Sequence, residues 1–259
     1  MSAYVPYCSS DVYTGTRNAS AGTGNLIFHG KYIVKAIIQD LIDNTWVTEA
    51  EEVVLMGSSA GAIGTESNCD MLADELHRYN SDIKVKCISD SGTIYPFDTH
   101  SPGCFPHLLQ YSFFQSWDGI SDESCLEENP DGYDCISATT AYPYITTPIL
   151  LLHSSTDTTI RYCYEDTEEF WQRWKQELAD IGTTIAAYHP EGFGIFLVNC
   201  PFHGAVGHSY TNMEVPLLDS SNPGETILLR DLIDNFMKEK HPYQAIDDMS
   251  VTKNPNCKR

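Results

Sequence analysis

A serine set between two glycines, Gly57-Ser58-Ser59-Ala60-Gly61, is the first stretch of the sequence with chemical content. The G-x-S-x-G spacing suits a nucleophile on a sharp strand-to-helix turn, where side chains at the flanking positions would collide with neighbouring backbone. Ser59 would then project its hydroxyl at the carboxyl end of a sheet, and the Ala60 N–H would face a developing oxyanion. The pattern occurs by chance, so its setting decides its weight. Four apolar residues, Val53-Val54-Leu55-Met56, enter it, and a helical pattern from about Ala60 to Tyr79 leaves it. Such a serine needs an acid and then a histidine, in chain order, beyond later strands. Asp157 stands just past the apolar run Ile149–His153, and Asp90 stands past an earlier one. Asp157 is preferred, because the acid ordinarily follows the later strand. Of the downstream histidines His189, His203, His208 and His241, both His203 and His208 follow Ile195-Phe196-Leu197-Val198 in a loop with Gly204 and Gly207. The residues alone leave those two open. Together the set would perform acyl transfer: the histidine takes the serine proton, the oxygen attacks an ester carbonyl, and water releases the acid from an acyl-enzyme.

Such a set works only if strands and helices bring it to one rim. Ile33, Val34, Ile37, Ile38, Leu41 and Ile42 recur at helical spacing within 28–43. Val53–Met56 and Ile83–Ser89 are short apolar runs ended by Gly57 and by Asp90-Ser91-Gly92, and Pro148–His153 is the strongest strand signal. Further helices are expected over 165–180, with Phe170, Trp174, Leu178 and Ile181 on one face, and over 225–239, through Ile227, Leu228, Leu232, Phe236 and Met237. Residues 98–145 lack periodicity and suit an irregular insertion. No repeat or linker divides the chain, so 1–259 is expected to be one α/β domain, a mostly parallel sheet with helices on both faces.

Composition narrows the partners. Among 259 residues, 15 Lys+Arg face 36 Asp+Glu, a formal charge of −21, and 42% of residues are apolar. A phosphate-tracking nucleic-acid binder and a binder of anionic lipid are disfavoured, because both rely on clustered cations. The same charge repels polyuronate or sulfated glycans, although a merely solvated acidic surface reads equally well. No apolar run approaches 18 residues, and the start Met1–Tyr7 has neither a basic nor an apolar leader segment. Nine cysteines without a CxxC pair point to disulfides rather than to zinc or a redox dithiol, with free buried thiols as the alternative. Cys125 and Cys135 flank an acidic, turn-rich segment that a bridge would staple. The odd count leaves one thiol unpaired or its partner outside this chain. No metal-ligand spacing and no phosphate-cradling loop is present, so no cofactor is implied.

Five ordered segments resemble the pectin acetylesterase family: Val5-Pro6-Tyr7-Cys8-Ser9-Ser10-Asp11-Val12, Gly57–Gly61 with Asn68-Cys69-Asp70, Asp90-Ser91-Gly92, the Asp157 loop, and Asn199-Cys200-Pro201-Phe202-His203. The first is more similar to the family's Notum-like branch than to its plant enzymes. The resemblance implies an α/β-hydrolase-like three-layer sandwich, with Ser59 as nucleophile, Asp157 as acid and His203 as base, which separates His203 from His208. It implies a secreted, serine-dependent, metal-free, disulfide-bonded esterase, expected to be a monomer, acting on an O-acyl group: acetyl on a polysaccharide or a fatty acyl group on a protein. The family's glycine-rich oxyanion loop lies upstream of the first matching segment. The chain is therefore expected to be an amino-terminally incomplete version of such an enzyme, lacking early strands and leaving the strand before Ser59 with an open edge. The rival expectations are a non-catalytic protein of the same fold that binds an acylated ligand, and a serine peptidase on the same sheet.

Overall fold

Short apolar strands separated by amphipathic helices line up side by side in parallel, because each crossover helix must return the chain to the same end of the sheet. The computed structural model describes residues 1–92, most of 114–161, part of 167–182, and 192–206, 213–217, 225–241 and 244–247. Its main sheet runs in the order β1 (Glu52–Ser58), β2 (Lys84–Asp90), β3 (Ile149–Ser154), β4 (Phe193–Val198) and β7 (Gln244–Ile246), with every pair parallel. Gly57 lies opposite Ser89, Ser58 opposite Asp90, Asp90 opposite Leu152, and Ser154 opposite Val198. That register gathers the carboxyl ends of four strands on one rim. The residues that follow them, Ser59, Ser91, Asp157 and His203, are thereby made neighbours.

Helices cover both faces. Leu55, Cys87, Ile149, Leu151, Ile195 and Leu197 present one face; the last five of these pack with Trp174, Leu178 and Ile181 from the helical residues between 169 and 182. On that same face α1 (Gly30–Asn44) and α2 (Ala60–His77) bury Ile38, Ile42, Met71, Leu72 and Leu76 against Val85, with Val53 and Leu55 alongside. Ile88, Leu150, Leu152, Phe196 and Val198 form the opposite face and pack on Leu229, Leu232 and Phe236 of a helix at Leu229–Met237. At β1 this second layer ends. Val54 and Met56, on that face of the sheet's end strand, remain 40% and 43% exposed, a core-like strand standing at an edge.

Two expectations about boundaries are corrected. The helix expected over 225–239 starts only at Leu229, because Thr226–Leu228 is taken up as β6, pairing antiparallel with β5 (Glu214–Pro216). Leu229 N donates to Met213 O at 2.8 Å, which ties the helix start to that ribbon. The strand after α2 runs through Asp90 rather than ending at Ser89, since Ser58 and Leu152 pair with Asp90 from either side. Phe170 and residues 98–113 of the expected insertion lie outside the described residues. The described residues of 114–141 include several short helical turns, among them α3 (Glu123–Glu128).

Buried polar residues lock these layers. Asp11 is fully buried; its carboxylate accepts from Tyr13 N at 3.1 Å and from Gly30 N at 2.7 Å, capping α1 from outside that helix. A side chain at Gly30 would overlap the Asp11 carboxylate. Asn68 Nδ2 donates to Tyr13 O and Gly64 O, and Lys31 Nζ to Ser67 O and Ser121 O. Cys125 and Cys135 are bonded as expected, Cys69–Cys87 joins α2 to β2, and Cys200 is also disulfide-bonded. Among the described residues Cys8 is a free, exposed thiol.

Candidate functional site

Ser59 occupies the junction of β1 and α2 at φ 58°, ψ −121°. A non-glycine residue held there costs on the order of 1–3 kcal/mol and persists only when its surroundings impose it. The surroundings are visible at Gly57, where an added Cβ would overlap the Gly61 carbonyl and lie 2.8 Å from Thr65 Oγ1. The expectation that both flanking glycines avoid a collision holds for Gly57 and fails for Gly61. A Cβ on Gly61 meets nothing within 4 Å, because it is the Gly61 backbone, not its side-chain position, that crowds the turn. Ala60 opens α2, so its N–H belongs to the first turn, whose donors have no intrahelical acceptor and carry the positive end of the helix dipole.

Asp157 follows β3 and is 1% exposed. Its Oδ1 accepts from Thr159 N at 2.7 Å, which orients the carboxylate, and its Oδ2 meets His203 Nδ1 at 2.8 Å. With Nδ1–H committed to Asp157, Nε2 is the ring nitrogen able to take up a proton. The hydrogen bond to Asp157 raises the His203 pKa above the ordinary imidazole value; partial burial opposes this, and the charges of Asp157 and Asp90 add to it. Of the two candidate acids, then, Asp157 is the one on the ring. The Asp90 carboxylate is occupied elsewhere, by Ala205 N at 2.7 Å and Val206 N at 3.0 Å. His208 and His189 lie outside the described residues. Ser59 is joined to the His203 loop through Asp90, whose carbonyl accepts from Ser59 N at 2.9 Å and whose carboxylate accepts from Ala205 N and Val206 N; among the described residues no hydrogen bond joins Ser59 Oγ to the ring. Hydroxyl–imidazole contacts of this kind commonly tighten only when substrate arrives.

Two buried titratable groups nearby escaped the sequence. Glu66, on α2, accepts from Ser89 Oγ at 2.5 Å and Tyr142 OH at 3.3 Å, and burial pushes its carboxyl up to about 7. His153, inside β3, packs on Trp174 with ring centroids 5.9 Å apart and has no hydrogen-bond partner at either nitrogen among the described residues; burial lowers its pKa. A histidine within an otherwise aliphatic strand was a readable signal. Glu66 carried none, since its burial depends on which segments cover α2. Among the described residues no group of three His, Cys, Asp or Glu side chains is placed to hold a metal ion, and no helix is long and apolar enough to cross a membrane.

Palmitoleoyl-protein carboxylesterase NOTUM of Schmidtea mediterranea is 28% identical over 166 residues, 60% of this chain and 31% of its own length. The Homo sapiens protein of that name is 27% identical over 161 residues, 58% of this chain and 32% of its own. The matched part thus spans about a third of these relatives. The crystal structure of the Wnt deacylase Notum from Drosophila superposes with a TM-score of 0.74 over 98% of this chain and 73% of that one, at 22% identity, and so shares the fold, the α/β-hydrolase-like layering with a mostly parallel sheet. The family profile described as Pectinacetylesterase matches residues 2–168, more than half of the chain, and the protein therefore belongs to the pectinacetylesterase family.

Proposed function

We propose that the protein is a serine carboxylic-ester hydrolase that removes an O-acyl group through an acyl-enzyme on Ser59. The observation that carries this reading is the 2.8 Å bond from His203 Nδ1 to the buried Asp157, on the same rim where β1 ends in a strained serine. In the first step His203 Nε2 accepts the Ser59 proton as the oxygen attacks the ester carbonyl. Asp157 holds the ring's tautomer and stabilises the imidazolium, and the Ala60 N–H donates to the oxyanion. The imidazolium then protonates the leaving alkoxide, and water repeats the sequence to free the acid.

The acyl group is proposed to be acetyl on a glycan or a fatty acyl group on a protein, following the names of the family profile and of the relatives. The charge of −21 favours an uncharged acyl ester over a polyanion. Disulfides at Cys69–Cys87 and Cys125–Cys135 support a secreted protein. Because the base must be neutral and its pKa is raised, turnover rises with pH through a value above that of a free imidazole. The test is kcat/KM against pH for p-nitrophenyl esters from acetate to octanoate. Asp157→Asn is expected to lower the alkaline plateau by about 10³–10⁴-fold and move the acid limb to lower pH. An unchanged profile in that variant would contradict the assignment.

A further inference from the structure

The segment Asp90-Ser91-Gly92 is not used by the acyl-transfer chemistry, yet each of its residues touches a part of that site. Asp90 is fully buried, and Ser91 is 5% exposed. The Asp90 carbonyl accepts from Ser59 N at 2.9 Å, on the nucleophile side. Its carboxylate accepts from Ala205 N at 2.7 Å and Val206 N at 3.0 Å, on the base side, two and three residues beyond His203. Ser91 Oγ accepts from Gly204 N at 2.9 Å and lies 3.3 Å from Asp90 Oδ1. Three successive loop N–H groups therefore converge on one acid and its neighbouring hydroxyl, a nest built around an internal anion. Gly92 closes the other side. A Cβ there would overlap that of Ala62 and lie 2.8 Å from Ile63 N, so this residue lies flush against the first turn of α2. Ser91 takes φ 63° to make the corner, and its N–H stays paired with Leu152 O at 2.8 Å.

We infer that Asp90 is a positioning residue that fixes the His203 loop relative to Ser59, a bracket in which one residue holds the nucleophile's backbone by its carbonyl and the base's loop by its carboxylate. The inference rests on the serine-hydrolase reading for its kinetic consequence, though not for its geometry. A fully buried carboxylate is strongly disfavoured unless paired, and here the backbone amides of Ala205 and Val206 supply the pairing. Without it, the loop loses its only acidic anchor at 204–206 among the described contacts. The charges that act on the His203 ring are those of Asp157 beyond β3 and of Asp90 at the end of β2; His153, buried within β3, has its own pKa lowered by burial, to which the charge of His203 adds. Removing the Asp90 charge therefore lowers the imidazole pKa as well as loosening the loop.

The test compares wild type, Asp90→Asn and Ser91→Ala by three readouts: amide exchange at 204–206, NMR titration of His203, and kcat/KM against pH with KM and kcat separated. Asp90→Asn is expected to accelerate exchange at Ala205 and Val206, to lower the His203 pKa by less than Asp157→Asn does, and to reduce kcat on the alkaline plateau by about 10–100-fold with KM little changed. Ser91→Ala keeps the charge, so it should speed exchange at Gly204 and leave the His203 titration in place. If Asp90→Asn fails to fold, wild-type protection of Ala205 and Val206 together with Ser91→Ala decides the question. The inference is overturned if those two amides exchange as freely as a solvent-exposed loop, or if Asp90→Asn folds with their protection and the His203 titration unchanged. Absence of esterase activity in the wild type would instead defeat the serine-hydrolase reading, leaving exchange and titration to judge the bracket.

Discussion

At the level of single residues, the two glycines around Ser59 do different work. A methyl group at Gly57 meets the Gly61 carbonyl, while one at Gly61 meets open space. Gly57→Ala should therefore destabilise the protein by several kcal/mol or prevent folding, whereas Gly61→Ala should be neutral or stabilising by up to about 1 kcal/mol, since alanine is the better helix former. Urea unfolding of both variants checks this; equal costs would refute the assigned roles. The spacing of Ser59, Asp157 and His203 was legible because each follows a strand in chain order. Residues alone do not separate His203 from His208; the family resemblance does, and in the structure His203 is bonded to Asp157 while His208 lies outside the described residues. The place of Asp90 was not legible. The partners of its carboxylate are backbone amides 115 and 116 residues downstream, and only the register of β2 between β1 and β3 brings them to it.

Among the elements, α2 carries the most. It supplies the first turn after Ser59, buries almost every residue from Ala62 to Ala73, and is bonded to β2 through Cys69–Cys87. That bridge closes a span of 18 residues between the elements that hold Ser59 and Asp90. Replacing both cysteines by alanine should cost about 3 kcal/mol, read from the urea midpoint under oxidising conditions. A change below about 0.5 kcal/mol would mean that packing alone fixes α2. Strands β1 to β4 were readable because each is a short apolar run ended by a turn residue. The boundary at Leu229 was not, because Ile227 and Leu228 fit a helical stripe as well as they fit a strand, and only the pairing with Glu214 and Val215 decides between them. β1 is the opposite case: its composition is that of a central strand, and the family resemblance rather than the residues led to the expectation of an open edge, where it stands at the end of the described sheet.

Over the whole molecule, charge and burial combine into a pH dependence. Glu66 has its carboxyl raised from 4.5 to about 7 by burial, so the folded state holds its proton more tightly than the unfolded chain does. Its contribution is fully present below pH 4.5 and is lost as pH rises through about 7, worth on the order of 3 kcal/mol. His203, also raised, acts in the same direction, and His153, lowered by burial, opposes both as pH falls below the imidazole range. Glu66→Gln should therefore flatten the fall in unfolding free energy between pH 5 and pH 8 and make the variant more stable than wild type at pH 8. Parallel stability curves would show that Glu66 titrates normally. The protein is then expected to be most stable in mild acid and most active above neutrality, where His203 is free to act as base. An acyl-enzyme on Ser59 is read out by treating the full chain with a fluorophosphonate and locating the adduct by mass spectrometry. One phosphonylated residue, Ser59, is expected, with labelling lost in Ser59→Ala; a folded chain that takes up no label, or takes it up elsewhere, would rule out Ser59 as the nucleophile and favour a non-catalytic member of the family.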